Sequence, residues 1–169
     1  MTSDTVELFL AGTEVIAAAV ADASVIDAWE RPSVLEEQTV GSLAGHLARG
    51  GCWVVADYLA VELPHHEPDF LSADHYFATF VTTAGPADHQ AVRDRGASLA
   101  GMGPAALTAE LRARLDSLAP MLRAEPPDRP IAVIAGRVMP LTAYLTTRIV
   151  EQAVHHDDLA RSIDHEPWP

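Results

Sequence analysis

Near the C-terminal end of the chain, Arg148, Glu151, His155 and Asp158 recur at intervals of three and four residues. On a helix, which turns roughly 100° per residue, Tyr144, Arg148, Glu151, His155, Asp158 and Ser162 share a sector of roughly 80°. Beside them run Leu141, Leu145, Ile149, Leu159 and Ile163, the stripe that a helix buries. The ionisable line therefore borders a core. Glu151 and His155, four apart, project over one turn and can reach a common atom. A third donor has to come from elsewhere, and His46, on an earlier helical pattern, is the candidate. Two imidazole nitrogens and one carboxylate oxygen suit zinc, and also nickel, iron or manganese. Three protein ligands leave a coordination position open, where an incoming thiol, hydroxyl or carbonyl would be polarised. The same residues also fit a plainer reading, an ion-pair network without metal, because Glu/His pairs at i, i+4 are common on helices. Asp158, one turn beyond His155, is placed either to orient that imidazole or to sit in solvent as an acid. Arg148 is placed to meet an anionic substrate or to pair with Glu151, and the i, i+3 spacing favours the pair.

Composition narrows the function classes. At 169 residues and 49% hydrophobic content the chain is long enough for one domain, 1–169, with a core of its own. A net charge of -13 with no Lys/Arg cluster argues against nucleic acid or an anionic membrane as partner. No apolar run is long enough to span a bilayer, and Met1-Thr2-Ser3-Asp4 lacks the basic start of a secretory signal, so the expected location is cytoplasmic. Cys52 is the single cysteine, so any metal must use His and carboxylates; it points away from the line of His46 and reads as a small core residue. All eleven basic residues are Arg, and alanine is abundant, which points to a GC-rich coding sequence. No phosphate loop, nucleophile elbow or dinucleotide fingerprint is present.

The elements that must position these residues read as helices. Asp4 is a candidate N-cap for a first helix to about residue 22, and a short turn over 24–29 ends at Arg31-Pro32-Ser33. Thr39 caps a second helix expected to run to about Glu62. On it, Gly50, Trp53 and Asp57 continue the line of His46, and the missing side chain at Gly50 leaves room above the imidazole. Leu63 to Asp69 is a loop whose His65-His66-Glu67-x-Asp69 is expected in solvent. A third helix is capped near Ser72 and ends by Gly85-Pro86; whether 73–100 is one bent helix or two is left open. Residues 104 to about 123 form another, which Pro120 should kink or end. A very short hairpin over 131–139 turns at Ala135-Gly136, and Pro140 opens the last helix, to about Ile163. The whole reads as four main antiparallel helices with one short β-hairpin before the last. His75, His89 and His165 stand alone, and His156 and Asp157 turn away from the ionisable line towards solvent.

Two segments, Thr39-Val40-Gly41-Ser42-Leu43-Ala44-Gly45-His46-Leu47 and Arg148-x-x-Glu151-x-x-x-His155-x-x-Asp158-Leu159, resemble the signatures of the mycothiol-dependent maleylpyruvate isomerase N-terminal domain family. The Trp29-x-x-Pro32-Ser33 approach and the proline-bounded hairpin extend the likeness over nearly the whole chain, with departures at Gln38, where an aromatic residue is common, and at Asp164, where glycine is. The resemblance implies an all-α, DinB-like four-helix bundle. It also implies a divalent metal, zinc first, on His46, Glu151 and His155, with Arg148 and Asp158 tuning or orienting the ligands. As co-substrate it implies a small thiol, mycothiol in actinobacteria, used for isomerisation or for S-transfer to a small electrophilic substrate. The isomerase itself has a further C-terminal domain, which the likeness does not cover. A non-catalytic bundle that binds metal or a small ligand is the alternative, and a homodimer is left open.

Overall fold

The computed structural model describes residues 4–169, with Val81 described through its backbone alone. Helix α1 (Asp4–Val20) leads through the short α2 (Ala23–Asp27) to α3 (Val40–Ala48), a π-helical turn (Arg49–Trp53) and α4 (Val54–Leu59). Then come α5 (Ala73–Thr83), α6 (Pro86–Ala100), α7 (Pro104–Ala124), the strands β1 (Pro130–Ala132) and β2 (Val138–Pro140), and α8 (Leu141–Ser162). The protein is mostly helical, with one small antiparallel hairpin in which Ile131 pairs with Met139. Ala135 (φ 57°) and Gly136 (φ 71°) turn it through the left-handed region.

Apolar stripes at helical spacing assemble one core. α7 contributes Leu107, Leu111, Leu115, Leu118 and Leu122, α1 contributes Val6, Phe9, Leu10 and Ile16, and α8 contributes Leu141, Leu145 and Leu159. Pro120 does not end α7, because it occupies the exposed face while Leu118 and Leu122 on either side are buried. Packing outweighs the one backbone hydrogen bond that proline cannot donate. The stretch 73–100 is two helices: Ala84 leaves the helical region (ψ 130°), Gly85 precedes Pro86 at the first position of α6, and the Gly85 N–H is held by Asp88 Oδ2 at 2.8 Å.

The second helix departs from expectation in a way that matters for the site. It begins as predicted, Thr39 Oγ1 accepting from the Ser42 N–H at 3.1 Å, but at Arg49 it widens into a π turn and it ends at Leu59 rather than Glu62. The Val54 N–H bonds the Arg49 carbonyl, five residues back instead of four. One extra residue in that turn shifts everything after it by one position. Val54 and Tyr58, not Trp53 and Asp57, therefore continue the face of His46 and Gly50. Trp53 is buried under the Arg114 guanidinium and Asp57 is exposed.

Helix α3 is enclosed along nearly its whole length, and small residues let its neighbours come close. A Cβ on Gly41 would stand 2.6 Å from the Trp29 ring, which accounts for the Trp29 approach segment, and one on Gly45 would stand 2.2 Å from the Gly96 carbonyl of α6. Substituting Gly45 with alanine should therefore push α6 off α3 and destabilise the fold by about 1–3 kcal/mol. Chemical denaturation measures this, and an unchanged midpoint would show that the two backbones do not touch.

Candidate metal centre

The residues singled out by spacing meet across two helices. His46 Nε2 lies 3.6 Å from Glu151 Oε2, and His155 Nε2 lies 3.5 Å from the same oxygen. The two imidazoles are edge to face, 4.9 Å between centroids at 87°. One donor atom from each of the three side chains can be chosen so that all lie within 4.8 Å of one another. Two ligands bound at about 2.0–2.1 Å and at the tetrahedral angle stand about 3.4 Å apart, so the spacing fits a single first-row cation with little movement. The side chains of His46, Glu151 and His155 keep 20%, 31% and 23% of their surface, enough for a ligand to reach them and little enough to be partly dry.

Several contacts hold this geometry. Asp158 Oδ2 lies 3.0 Å from His155 Nδ1 and so turns the Nε2 atom towards Glu151; it is an orienting group, not a solvated acid. The rotation of α8 is set by the neighbour of Glu151. Gln152, buried, donates to Thr13 Oγ1 of α1 at 2.8 Å, and Gly12 leaves the space for its amide, since a Cβ there would stand 2.4 Å from Gln152 Oε1. Thr13 Oγ1 also lies 3.4 Å from the Gly51 carbonyl and so ties α1 to the π turn. The expected Arg148–Glu151 ion pair is not made. Arg148 instead donates from Nε to Thr147 Oγ1 at 3.0 Å and lies over the Tyr144 ring, 5.0 Å from its centroid, drawn by the aromatic face one turn back.

A cavity of about 550 Å³ opens beside the three donors and is lined by Gly50, Tyr58, Tyr76 and Tyr144 as well as by His46 and Glu151. Gly50 does leave the room foreseen for it, with nothing within 4 Å of a Cβ placed there. A smaller cavity of about 180 Å³ reaches His46 and His155 from the side of Leu35, Gln38 and His89. Spacing alone missed Tyr58, because the π turn has no simple sequence signal, and missed Gln152, a polar residue on a buried face.

Other histidines behave differently. His65 and His66 are exposed as expected, but Asp69 is half-buried and accepts the Val138 N–H at 2.8 Å, fastening the loop to the hairpin. His156 is not solvated: it is half-buried against Trp168, whose indole N–H bonds Asp22 Oδ2 at 3.1 Å, because the C-terminal residues fold back over α8. His165 stacks on the same indole. Cys52 is a core residue, its thiol pushed up to about 12 by burial, and it plays no part in the site.

Burial works against the charged form of Glu151, but the two imidazoles facing it and the nearby Arg148 outweigh this and hold its carboxyl well below the usual range. Burial also opposes charge on His155, and the carboxylates of Glu151 and Asp158 override it and raise its pKa above the ordinary 6.5. A raised folded value means that the protonated imidazole stabilises the metal-stripped protein fully below the unfolded pKa, and that this contribution is lost as pH rises through the folded one. Nuclear magnetic resonance of the His155 ring in chelator-treated protein should show titration above 6.5, moving back down in Asp158→Asn; a titration point at or below 6.5 would contradict the arrangement.

Residues 9–160 match the family described as the mycothiol maleylpyruvate isomerase N-terminal domain. No match was found among curated proteins or among solved structures. With a match over most of its length, the chain belongs to the mycothiol maleylpyruvate isomerase N-terminal domain family.

Proposed function

We propose that residues 1–169 form one DinB-like four-helix bundle domain, located in the cytoplasm, that binds one divalent cation, zinc first, through His46, Glu151 and His155. We read it as a thiol-dependent S-transferase or isomerase, with mycothiol or a related small thiol as co-substrate and a small electrophile as substrate. The observation that carries the reading is the meeting of three donors from α3 and α8, two nitrogens and an oxygen, at the wall of a cavity of about 550 Å³.

A divalent cation in that position supplies Lewis acidity, which favours the thiolate form of a thiol over the neutral form and so provides the nucleophile. The chain supplies the rest. Asp158 holds the His155 ring so that Nε2 faces the centre, and Gln152 with Thr13 fixes the rotation of α8 that presents Glu151. The aromatic walls of Tyr58, Tyr76 and Tyr144 restrict water around the reacting groups. Gly50 leaves open the face from which a second molecule would approach.

Purified protein should contain about one equivalent of a first-row metal, and His46→Ala, Glu151→Ala and His155→Ala should lose it. Asp158→Ala should stay folded and bind the metal about 10- to 100-fold more weakly. If wild type and His46→Ala carried the same trace metal, the centre would be excluded. Thiol consumption followed with a panel of electrophiles tests the reaction. Turnover that depends on both thiol and metal is the expected result, and none above the Glu151→Ala background would favour a metal-holding protein without catalysis.

A further inference from the structure

Aromatic side chains are scarce in this chain, three Trp, three Tyr and four Phe, and half of them stand at one place. Tyr58, Tyr76, Phe77, Phe80 and Tyr144 all line the large cavity, where an aromatic content of 6% would place about one. They arrive from three elements, α4, α5 and α8, so the concentration is built by the fold and is not a local run of sequence. Most of the others have plain structural places: Phe9, Trp29 and Trp53 are buried in the core, and Phe70 backs the Tyr76 ring edge to face at 5.5 Å.

Core packing accounts for only part of this wall. Tyr76 and Tyr144 are buried, but Tyr58, Phe77 and Phe80 are half-buried and leave ring surface on the cavity, an arrangement that costs free energy until something apolar covers it. Neighbouring rings fix the orientations: Tyr58 meets Tyr144 edge to face at 5.2 Å, Phe80 meets His89 in the same way at 6.1 Å, and Tyr76 and Phe80 lie nearly parallel, 7° apart in tilt. Aliphatic lining is limited to Val54, Val92 and Ile134. A saturated chain would gain only burial from such a wall, whereas a planar π system also gains the face-and-edge attraction of the ring quadrupoles. Arg49, Arg95 and Arg148 line the same cavity, and a guanidinium stacks on a ring face, as Arg148 already does over Tyr144 at 5.0 Å. A volume of about 550 Å³ suits a small organic molecule.

We propose that the cavity holds a planar aromatic ring system, seated among Tyr58, Tyr76, Phe77, Phe80 and Tyr144, and that the electrophile is therefore an aromatic compound. Its role as the electrophile, with the reacting carbon turned towards His46, Glu151 and His155, rests on the function proposed above; the ring site itself does not need the metal.

Isothermal titration of chelator-treated protein with three neutral probes tests this: 2-naphthylmethanol, its fully saturated decahydro counterpart, and methyl glucoside, which reports a wall that stacks sugars. The naphthyl compound should bind about tenfold more tightly than the saturated one, although the saturated one is the more hydrophobic, and methyl glucoside should not bind. The variant Phe77→Leu/Phe80→Leu keeps an apolar wall and removes two ring faces. It should lose about tenfold in affinity for the naphthyl compound and bind the saturated one as wild type does, with its thermal midpoint checked for folding. Should the double variant unfold, Phe80→Leu alone makes the same comparison. His46→Ala should keep the ring and lose the metal, so failure of the metal reading is distinguished from failure of this one. In the thiol assay the naphthyl compound should raise the KM of the electrophile and leave kcat unchanged. Equal or tighter binding of the saturated compound, binding of methyl glucoside alone, undiminished binding by a folded variant, or no binding of the naphthyl compound to wild type would overturn the proposal.

Discussion

The site depends on how closely α3 is allowed to approach the helices on either side of it. His46 can face Glu151 and His155 only because α3 sits deep, its backbone against α6 at Gly45 and Gly96 and against Trp29 at Gly41. Larger side chains at those glycines would hold α3 away and leave the imidazole short of α8. The opposite wall is set by a polar pin rather than by volume. Gln152 bonded to Thr13 fixes which face of α8 is buried, and Glu151 follows as the next residue round the helix.

A partly buried carboxylate between two imidazoles is costly unless its charge is compensated. Either a proton on the imidazoles or a cation between the donors can compensate it, and the two compete for the same nitrogens. Asp158 strengthens both options, since it raises the basicity of His155 and fixes its orientation. The chain thus holds a polarised, partly dry cluster at the wall of a cavity that Arg49, Arg95 and Arg148 also line.

Much of this was legible in the sequence, and the parts that were not have specific causes. Glu151, His155 and Asp158 lie on one helix, so a period of 3.6 residues was enough to align them. His46 was already the candidate third donor from its own helical pattern, and the family likeness strengthened the link, because no local pattern tells which distant helix will face which. The face beyond Gly50 was misread by one residue: regular helical counting cannot foresee a π turn, and so it offered Trp53 and Asp57 in place of Val54 and Tyr58. Arg148 was misassigned for another reason. Spacing brings an Arg and a Glu within reach but does not weigh that contact against the aromatic face of Tyr144 on the same side of the helix. Pro120 and His156 show tertiary context overriding local rules, the first through leucines on both sides and the second through a C-terminal tryptophan that folds back.

X-ray absorption at the zinc edge, recorded on zinc-loaded protein before and after addition of a small thiol, tests the central claim most directly. Two imidazole nitrogens with oxygen ligands before addition, and one sulfur entering the first shell after it, are the expected result. A shell without two imidazoles, or one that thiol leaves unchanged, would contradict the view that α3 and α8 build an open centre for thiol chemistry.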